Sequence, residues 1–274
     1  MADPFRFQGG IAVITGAASG IGTGLVKAAL ARDMKVVAAD INAEALGAFA
    51  RGLKGDVLAV PTDVSLPASV DALAAKAYDA FGRVDLLFNN AGILPAGLSW
   101  EIEPERWQKA FGVNVHGVVH GIRSFVPRML KTGAPAHIVN TASIGGFFPS
   151  PLMSPYTATK FAVVAITEAL FGELQMLKAP IRASLLAPGP VKTGIFNDPF
   201  GPQAGEAAQH LVIVLRKMLT ENGLTPDEFG TRVFDGIQKN LFWIIPQPEF
   251  FDHAYRVRSE EILARKDPRQ VPFD

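Results

Sequence analysis

A chain of 274 residues with 49% hydrophobic content can bury a sizeable core as one α/β domain. Lys plus Arg and Asp plus Glu balance at 26 each, so no charge excess points to nucleic acid or an anionic membrane surface. The absence of cysteine excludes disulfides, thiolate metal sites and a cysteine nucleophile.

"MADPFRFQGG" is polar and leads straight into a strand-like run, so no signal peptide is expected. No uninterrupted apolar window reaches the roughly eighteen residues that a membrane span needs. The default expectation is a cytoplasmic protein with no membrane and no nucleic-acid partner.

The first two-thirds of the chain alternate regularly. "IAVITG" reads as a strand followed by a helix to about Arg32, and "KVVAAD" as a strand followed by the helix "NAEALGAFARGL". "VLAVPTD" and "VDLLFNNAG" read as strands on either side of the helix "SVDALAAKAYDAFG". One long helix is then predicted over "PERWQKAFGVNVHGVVHGIRSFVPRML". The strand "AHIVNTAS", a helix from Tyr156 to about Leu177 and the strand "IRASLLAPG" follow. After Pro190 a Gly/Pro-rich segment with an apolar helix, about 194–228, interrupts the alternation and is placed to cover a ligand. "LFWIIP" reads as a last strand and "FDHAYRVRSEEILARK" as a terminal helix inside an extension of about 247–274. Strands that are apolar on both faces belong in a parallel sheet covered by helices. The expected fold is a single Rossmann-type doubly wound domain over 1–274.

"TGAASGIG" joins the first strand to the first helix and carries Gly16, Gly20 and Gly22. Glycines let a backbone turn sharply and approach a pyrophosphate, while the helix N-terminus offers N–H donors. The alternative is a tight strand–helix turn with no ligand. Asp40 closes the second strand, where a carboxylate binds adenosine-ribose hydroxyls and repels a 2′-phosphate. No Lys or Arg stands beside it and Ser19 is not basic, which favours NAD over NADP. Asp40 or Asn42 could equally cap the next helix.

Further stretches complete the pattern: "NNAG" from Asn89 to Gly92, "NTASIGG" with Ser143, "SPYTATK" with Tyr156 and Lys160 one helical turn apart, and "APGPVKT". Together with the glycine turn, and in this order, they resemble the short-chain dehydrogenase/reductase superfamily from about Gly10 to about Thr193. The resemblance implies a catalytic set of Asn114, Ser143, Tyr156 and Lys160. Tyr156 would be the general acid/base, Lys160 would lower its pKa and bind nicotinamide ribose, and Ser143 would hold the substrate oxygen. Asn114 would hold a water beside the lysine. The cofactor would lie along Gly16, Ser19, Gly20, Ile21, Gly22, Asp40, Ile41, Asp63, Val64, Asn90, Ala91, Gly92, Tyr156, Lys160, Pro188, Gly189, Val191 and Thr193. Homodimers or homotetramers are implied on the same ground. Taken singly, Asn114 could be an ordinary helix residue, Ser143 a strand-end cap and Tyr156 a core aromatic.

Leu94, Pro95, Ser143, Ile144, Phe148, Leu152 and Phe196 adjoin the motifs and are the candidate substrate pocket. Nearly all are apolar, so the expected reaction joins NAD(H) to an apolar secondary alcohol or ketone, aromatic ones included. The alternatives are an NADPH-dependent biosynthetic reductase, against which Asp40 argues, and a dinucleotide sensor without catalysis. His116 and His120 share a helix face but lack a third ligand, so no metal site is expected. Ser143 lacks the G-x-S-x-G elbow of a hydrolase. The mixed charges of "YRVRSEEILARK" read as a solvated face.

Overall fold

The structure is a computed structural model that describes residues 5–197 and 206–268. Residues 198–205 of the expected insertion and 269–274 of the expected extension lie outside the described residues. Among the described residues seven strands, β1 (Ile11–Thr15), β2 (Lys35–Asp40), β3 (Val57–Pro61), β4 (Leu86–Asn89), β5 (Ala136–Thr141), β6 (Ile181–Leu186) and β7 (Trp243–Ile244), form one sheet. All ladders are parallel, in the order β3-β2-β1-β4-β5-β6-β7.

The helices are α1 (Gly20–Leu30), α2 (Ala43–Arg51), α3 (Pro67–Phe81), α4 (Pro104–Phe111), α5 (Gly117–Thr132), α6 (Ser154–Met176), α7 (Glu206–Asn222), α8 (Pro226–Gln238) and α9 (Asp252–Leu263). Strand alternation sorts the core into two layers. Ala12, Ile14, Val36 and Ala38 face Leu25 of α1 and Phe229 and Phe234 of α8. Ile11, Val13, Val37 and Ala39 face Leu73 of α3, Phe125 and Met129 of α5 and Leu170 of α6. This two-sided burial explains why the central strands are apolar without interruption. It is the Rossmann-type doubly wound sheet expected from the alternation.

Three elements differ from the sequence reading. The long helix expected over 104–130 is divided by a π turn, Gly112–His116, where the Gly117 amide bonds the Gly112 carbonyl. Gly117 lies so close to Val64 that an added Cβ would sit 2.9 Å from Val64 Cγ2, so the helix packs tightly as it widens. The second difference is α8, which starts inside the expected insertion. Its start signal is a capping box in which Thr225 Oγ1 accepts from the Glu228 amide and Glu228 accepts from the Thr225 amide. α8 crosses α1 at Gly24 and Gly230: a Cβ on Gly24 would lie 1.8 Å from the Pro226 carbonyl, and one on Gly230 would lie 2.5 Å from the Gly24 carbonyl. Lastly, of "LFWIIP" only Trp243 and Ile244 pair, with Leu185 and Leu186 at the sheet edge.

Candidate active site

β1 pairs with β2 on one side and β4 on the other, so the chain departs to opposite sides at their carboxyl ends. In a doubly wound sheet a crevice opens at this switch point. The turns after β1 and β4 are pressed together there. Thr15 Oγ1 accepts from the amides of Asn90 and Ala91, at 2.9 and 3.1 Å, and Asn90 Nδ2 donates to the Thr15 carbonyl at 2.8 Å.

Gly16 and Gly20 have φ of +66° and +49°, the left-handed region that disfavours a side chain. A Cβ on Gly22 would stand 1.9 Å from the Gly16 carbonyl. Ser19 is the N-cap of α1 but makes no side-chain cap bond, so its hydroxyl does not consume the helix's first donors. These observations describe a Cβ-free cradle with N–H donors, which fits a dinucleotide pyrophosphate. Ile21 lies in the first turn of α1 and is partly buried against the core.

Asp40 stands at the end of β2, beside this cradle. Its Oδ2 accepts from the Ala18 amide and its Oδ1 from the Asn42 amide, both at 3.0 Å, which fixes the carboxylate against the glycine turn. Asn42, not Asp40, caps α2, accepting from the Ala45 amide. Ile41 is 71% exposed beside Asp40, an unusual position for a large apolar side chain. Asp63 Oδ1 accepts from the Ser65 amide and hydroxyl. Val64 is buried against Gly117.

α6 presents Tyr156 and Lys160 to the same crevice. It begins at Ser154, with Pro155 in its opening turn, where a missing N–H leaves no gap in the ladder. Ser143 is the N-cap of a short 3₁₀ turn, Ile144–Gly146, its hydroxyl accepting from the Gly145 amide at 3.0 Å. A Cβ on Gly145 would be 3.4 Å from Ser143 Oγ and 3.3 Å from Tyr156 Cε1, so the two side chains meet there. Lys160 Nζ donates to the Thr141 carbonyl at 2.9 Å and lies 5.6 Å from the centre of the Tyr156 ring. A Cβ on Gly92 would be 3.4 Å from both Asn114 Oδ1 and Lys160 Nζ, so these three residues meet.

The sequence reading has Lys160 lowering the Tyr156 pKa, but in this chain burial is stronger. Tyr156 is 8% exposed and burial raises the phenol's pKa, with Ser143 acting in the opposite direction. Burial also pulls the Lys160 ammonium down to about 8. Tyr156 is therefore enclosed rather than open at the crevice rim.

Asn114 lies in the π turn. Its Oδ1 accepts from the Ile93 amide, and its Nδ2 donates to the Ile93 carbonyl and Thr159 Oγ1, all at 2.9 Å. Both amide hydrogens are thus engaged, and a water beside Lys160 would have to use the second Oδ1 lone pair or the backbone carbonyl. Thr159 Oγ1 donates in turn to the Tyr156 carbonyl at 2.7 Å, so Thr159 joins the π turn to α6.

The segment after β6 closes one side of the crevice. The Pro188 carbonyl accepts from the Ile144 amide at 2.9 Å. Gly189 faces Gln247, Val191 bridges to Leu224, and Thr193 Cγ2 would be 3.0 Å from a Cβ on Gly20. Leu94 and Phe196 join Ala96, Leu219 and Tyr156 in one apolar cluster, with Met153 and Leu215 against it. Ile144 and Phe148 pack instead with Phe147, Val163 and Phe251. Pro95 is buried beside Leu94. Leu152 has φ +63° and its carbonyl accepts from the Gly97 amide at 2.7 Å.

Among the described residues no group of three or more His, Asp or Glu side chains could hold a metal. His120 Nδ1 lies 2.9 Å from the Val64 carbonyl. No helix is long and apolar enough to cross a membrane, among the described residues.

A short chain dehydrogenase family profile matches residues 10–201. The chain is 37% identical to a short chain dehydrogenase/reductase from Burkholderia phymatum whose crystal structure contains NAD; the TM-score is 0.93, over 98% of this chain and 99% of that one. It is 34% identical over 257 residues to a CLA biosynthesis dehydrogenase/reductase of Lactiplantibacillus plantarum, covering 89% of this chain and 90% of the relative. It is 38% identical over 244 residues to the 1-deoxy-11-beta-hydroxypentalenate dehydrogenase of Streptomyces avermitilis, covering 87% and 85%. The chain belongs to the short-chain dehydrogenase/reductase family, a family of oxidoreductases that bind a nicotinamide dinucleotide.

Sequence reasoning missed Thr159, Met153, Leu215 and Leu219. Thr159 stands inside "YTATK", where its spacing from Tyr156 is a usable signal. The three apolar residues have none, because apolar side chains on a helix or turn look the same whether they pack a core or face a ligand.

Proposed function

We propose that the protein transfers hydride between NAD(H) and an apolar secondary alcohol or ketone. The observation that carries this reading is the setting of Tyr156. Its ring meets Ser143 Oγ at Gly145, Lys160 follows one turn later, and it shares an apolar cluster with Leu94, Ala96, Phe196 and Leu219. Leu94, Ala96, Phe196 and Leu219 give the reacting carbon apolar surroundings, which favours an apolar substrate there.

Gly16, Ser19, Gly20 and Gly22 would hold the pyrophosphate, Asp40 the adenosine ribose, and Asp63, Val64 and Asn90 to Gly92 the walls beside it. Lys160, Pro188, Gly189, Val191 and Thr193 would hold the nicotinamide half. When bound, the nicotinamide accepts or supplies the hydride. The chain's own part is acid–base work. Ser143 Oγ orients the substrate oxygen, and Tyr156 Oη takes the hydroxyl proton as the alcohol becomes a ketone, or returns it in the reverse direction. The buried phenol is held neutral in the chain alone, so a positive charge must act on it before it can serve as a base.

Asp40 supports NAD as the cofactor, since its fixed carboxylate would face a 2′-phosphate. The reading is tested by following NADH formation over a panel of apolar secondary alcohols with NAD⁺ and with NADP⁺. Turnover with NAD⁺ and at least tenfold weaker use of NADP⁺ is expected, a difference of about 1.4 kcal/mol. Preference for NADP⁺ would overturn the cofactor assignment.

A further inference from the structure

The backbone after β6 and helix α7 are joined by one side chain. Arg216 donates from Nε to the Phe196 carbonyl at 3.1 Å, and from Nη2 to the carbonyls of Phe196 at 2.7 Å and Asn197 at 3.0 Å. Both carbonyls belong to irregular backbone that no helix or strand ladder satisfies. The planar fork of a guanidinium can serve adjacent acceptors at once, which a lysine ammonium on its flexible stem does poorly.

What this fork holds is the wall of the proposed substrate pocket. Phe196 is 7% exposed and packs with Leu94, Ala96, Tyr156 and Leu219. Leu215 and Leu219, on either side of Arg216 in sequence, stand one turn apart on α7 and reach the same cluster. Phe196 and α7 come from different stretches of chain, and the arginine is the described polar tie between them. Three of its five N–H donors go to these backbone carbonyls, which places it to shape the wall.

We propose that Arg216 is a positioning residue for substrate selection, holding Phe196 and the Leu215–Leu219 face of α7 as one apolar wall opposite Tyr156. The proposal rests on the hydride-transfer reading for its consequence, selection by shape, but not for its geometry. Without the tie, Phe196 and α7 hold separate positions, and a substrate that fills the wall loses contact more than a small one does. A displacement of the order of 1 Å can cost on the order of 100-fold in rate when it misplaces the reacting groups.

Two measurements separate the geometry from the chemistry. In the full-length protein, hydrogen exchange at the amides of Phe196, Asn197 and Leu215 to Leu219 is compared between wild type, Arg216→Gln and Arg216→Lys. Exchange faster by about tenfold or more in Arg216→Gln, with Arg216→Lys intermediate, is expected. Unchanged exchange would overturn the proposal whether or not the enzyme turns over alcohols. The second measurement is the ratio of kcat/KM for a bulky apolar secondary alcohol to that for 2-propanol. In Arg216→Gln this ratio should fall about tenfold, through KM for the bulky alcohol, and Arg216→Lys should recover part of it. An equal loss for both alcohols would assign Arg216 a merely structural part. Failure of the wild type on every alcohol would instead sink the hydride-transfer reading and leave exchange to decide the tie. If Arg216→Gln does not fold, Leu219→Ala replaces it: the same wall should then admit the bulky alcohol more easily, and an unchanged ratio would count against the wall.

Discussion

Burial pushes both His137 and Lys160 toward their neutral forms, and the two consequences for stability have the same sign in different pH windows. His137 is fully buried in β5, with its pKa pulled from 6.5 to about 3 by desolvation first and the nearby Arg182 charge second. Ser184 Oγ donates to the Leu241 carbonyl at 2.6 Å, so it must accept from His137 Nε2–H at 2.7 Å, and Nδ1 is left without a partner. The unfolded chain binds a proton below 6.5 that the folded chain refuses until about 3. Stability therefore falls as pH drops through that window, by about 1.4 kcal/mol per pH unit. In acid titrations followed by circular dichroism, His137→Gln should lose that slope; an unchanged slope would contradict the assignment.

Lys160 behaves in the same way at high pH. Its pKa in the fold is about 8 against an ordinary 10.5, so between these values the unfolded chain holds the extra proton and stability rises with pH. Below about 8 the full cost of the buried charge is present. Replacing it by methionine should give a variant whose melting temperature gains on the wild type at pH 7 and loses that advantage as pH climbs toward 10.5. Tyr156 and Lys160 are readable from sequence because a phenol and an ammonium one turn apart on an apolar helix have few purely structural reasons to be there. The upward pKa of Tyr156 is not readable. It comes from enclosure by Phe196, Leu219 and Leu94, residues distant in sequence.

At the scale of elements, small residues decide where helices approach. The α1–α8 crossing depends on Gly24 and Gly230, with no room for a methyl group at Gly24. Gly24→Ala should destabilise the fold by about 1–3 kcal/mol as the helices shift to relieve the overlap. That corresponds to roughly 2–4 °C in Tm for each kcal/mol. Thermal unfolding checks it, and an unchanged Tm would show that the crossing is looser than described. The strands were legible because parallel central strands must be apolar on both faces. The π turn was not, since "GVNVHG" carries a helical pattern and its widening depends on contacts of Asn114 with Ile93 and of Gly117 with Val64. α8 was overlooked although its Thr225–Glu228 capping box is a sequence signal, because the Gly/Pro-rich stretch before it drew the boundary too far along.

At the scale of the molecule, one parallel sheet brings the carboxyl ends of its strands to one side, and the polar groups of the proposed site stand beyond those ends, on α6 or, for Asn114, in the π turn before α5. This explains why the order of motifs along the chain was enough to identify the crevice. The pocket wall was less legible, because it is assembled from α7, the segment after β6 and the turn after β4 by packing alone. Cofactor choice belongs at this scale too, since Asp40 is fixed by the glycine turn of a different strand. Asp40→Ser should relax the discrimination between NAD⁺ and NADP⁺ by at least tenfold, read from the two Kd values; an unchanged ratio would place the selectivity elsewhere.

The most direct test of the whole account is NADH formation from an apolar secondary alcohol by the wild type and by Tyr156→Phe. The account predicts turnover by the wild type and a loss of about 10²–10⁴ in kcat in the variant, with NAD⁺ binding retained. Turnover by Tyr156→Phe at the wild-type rate would contradict it.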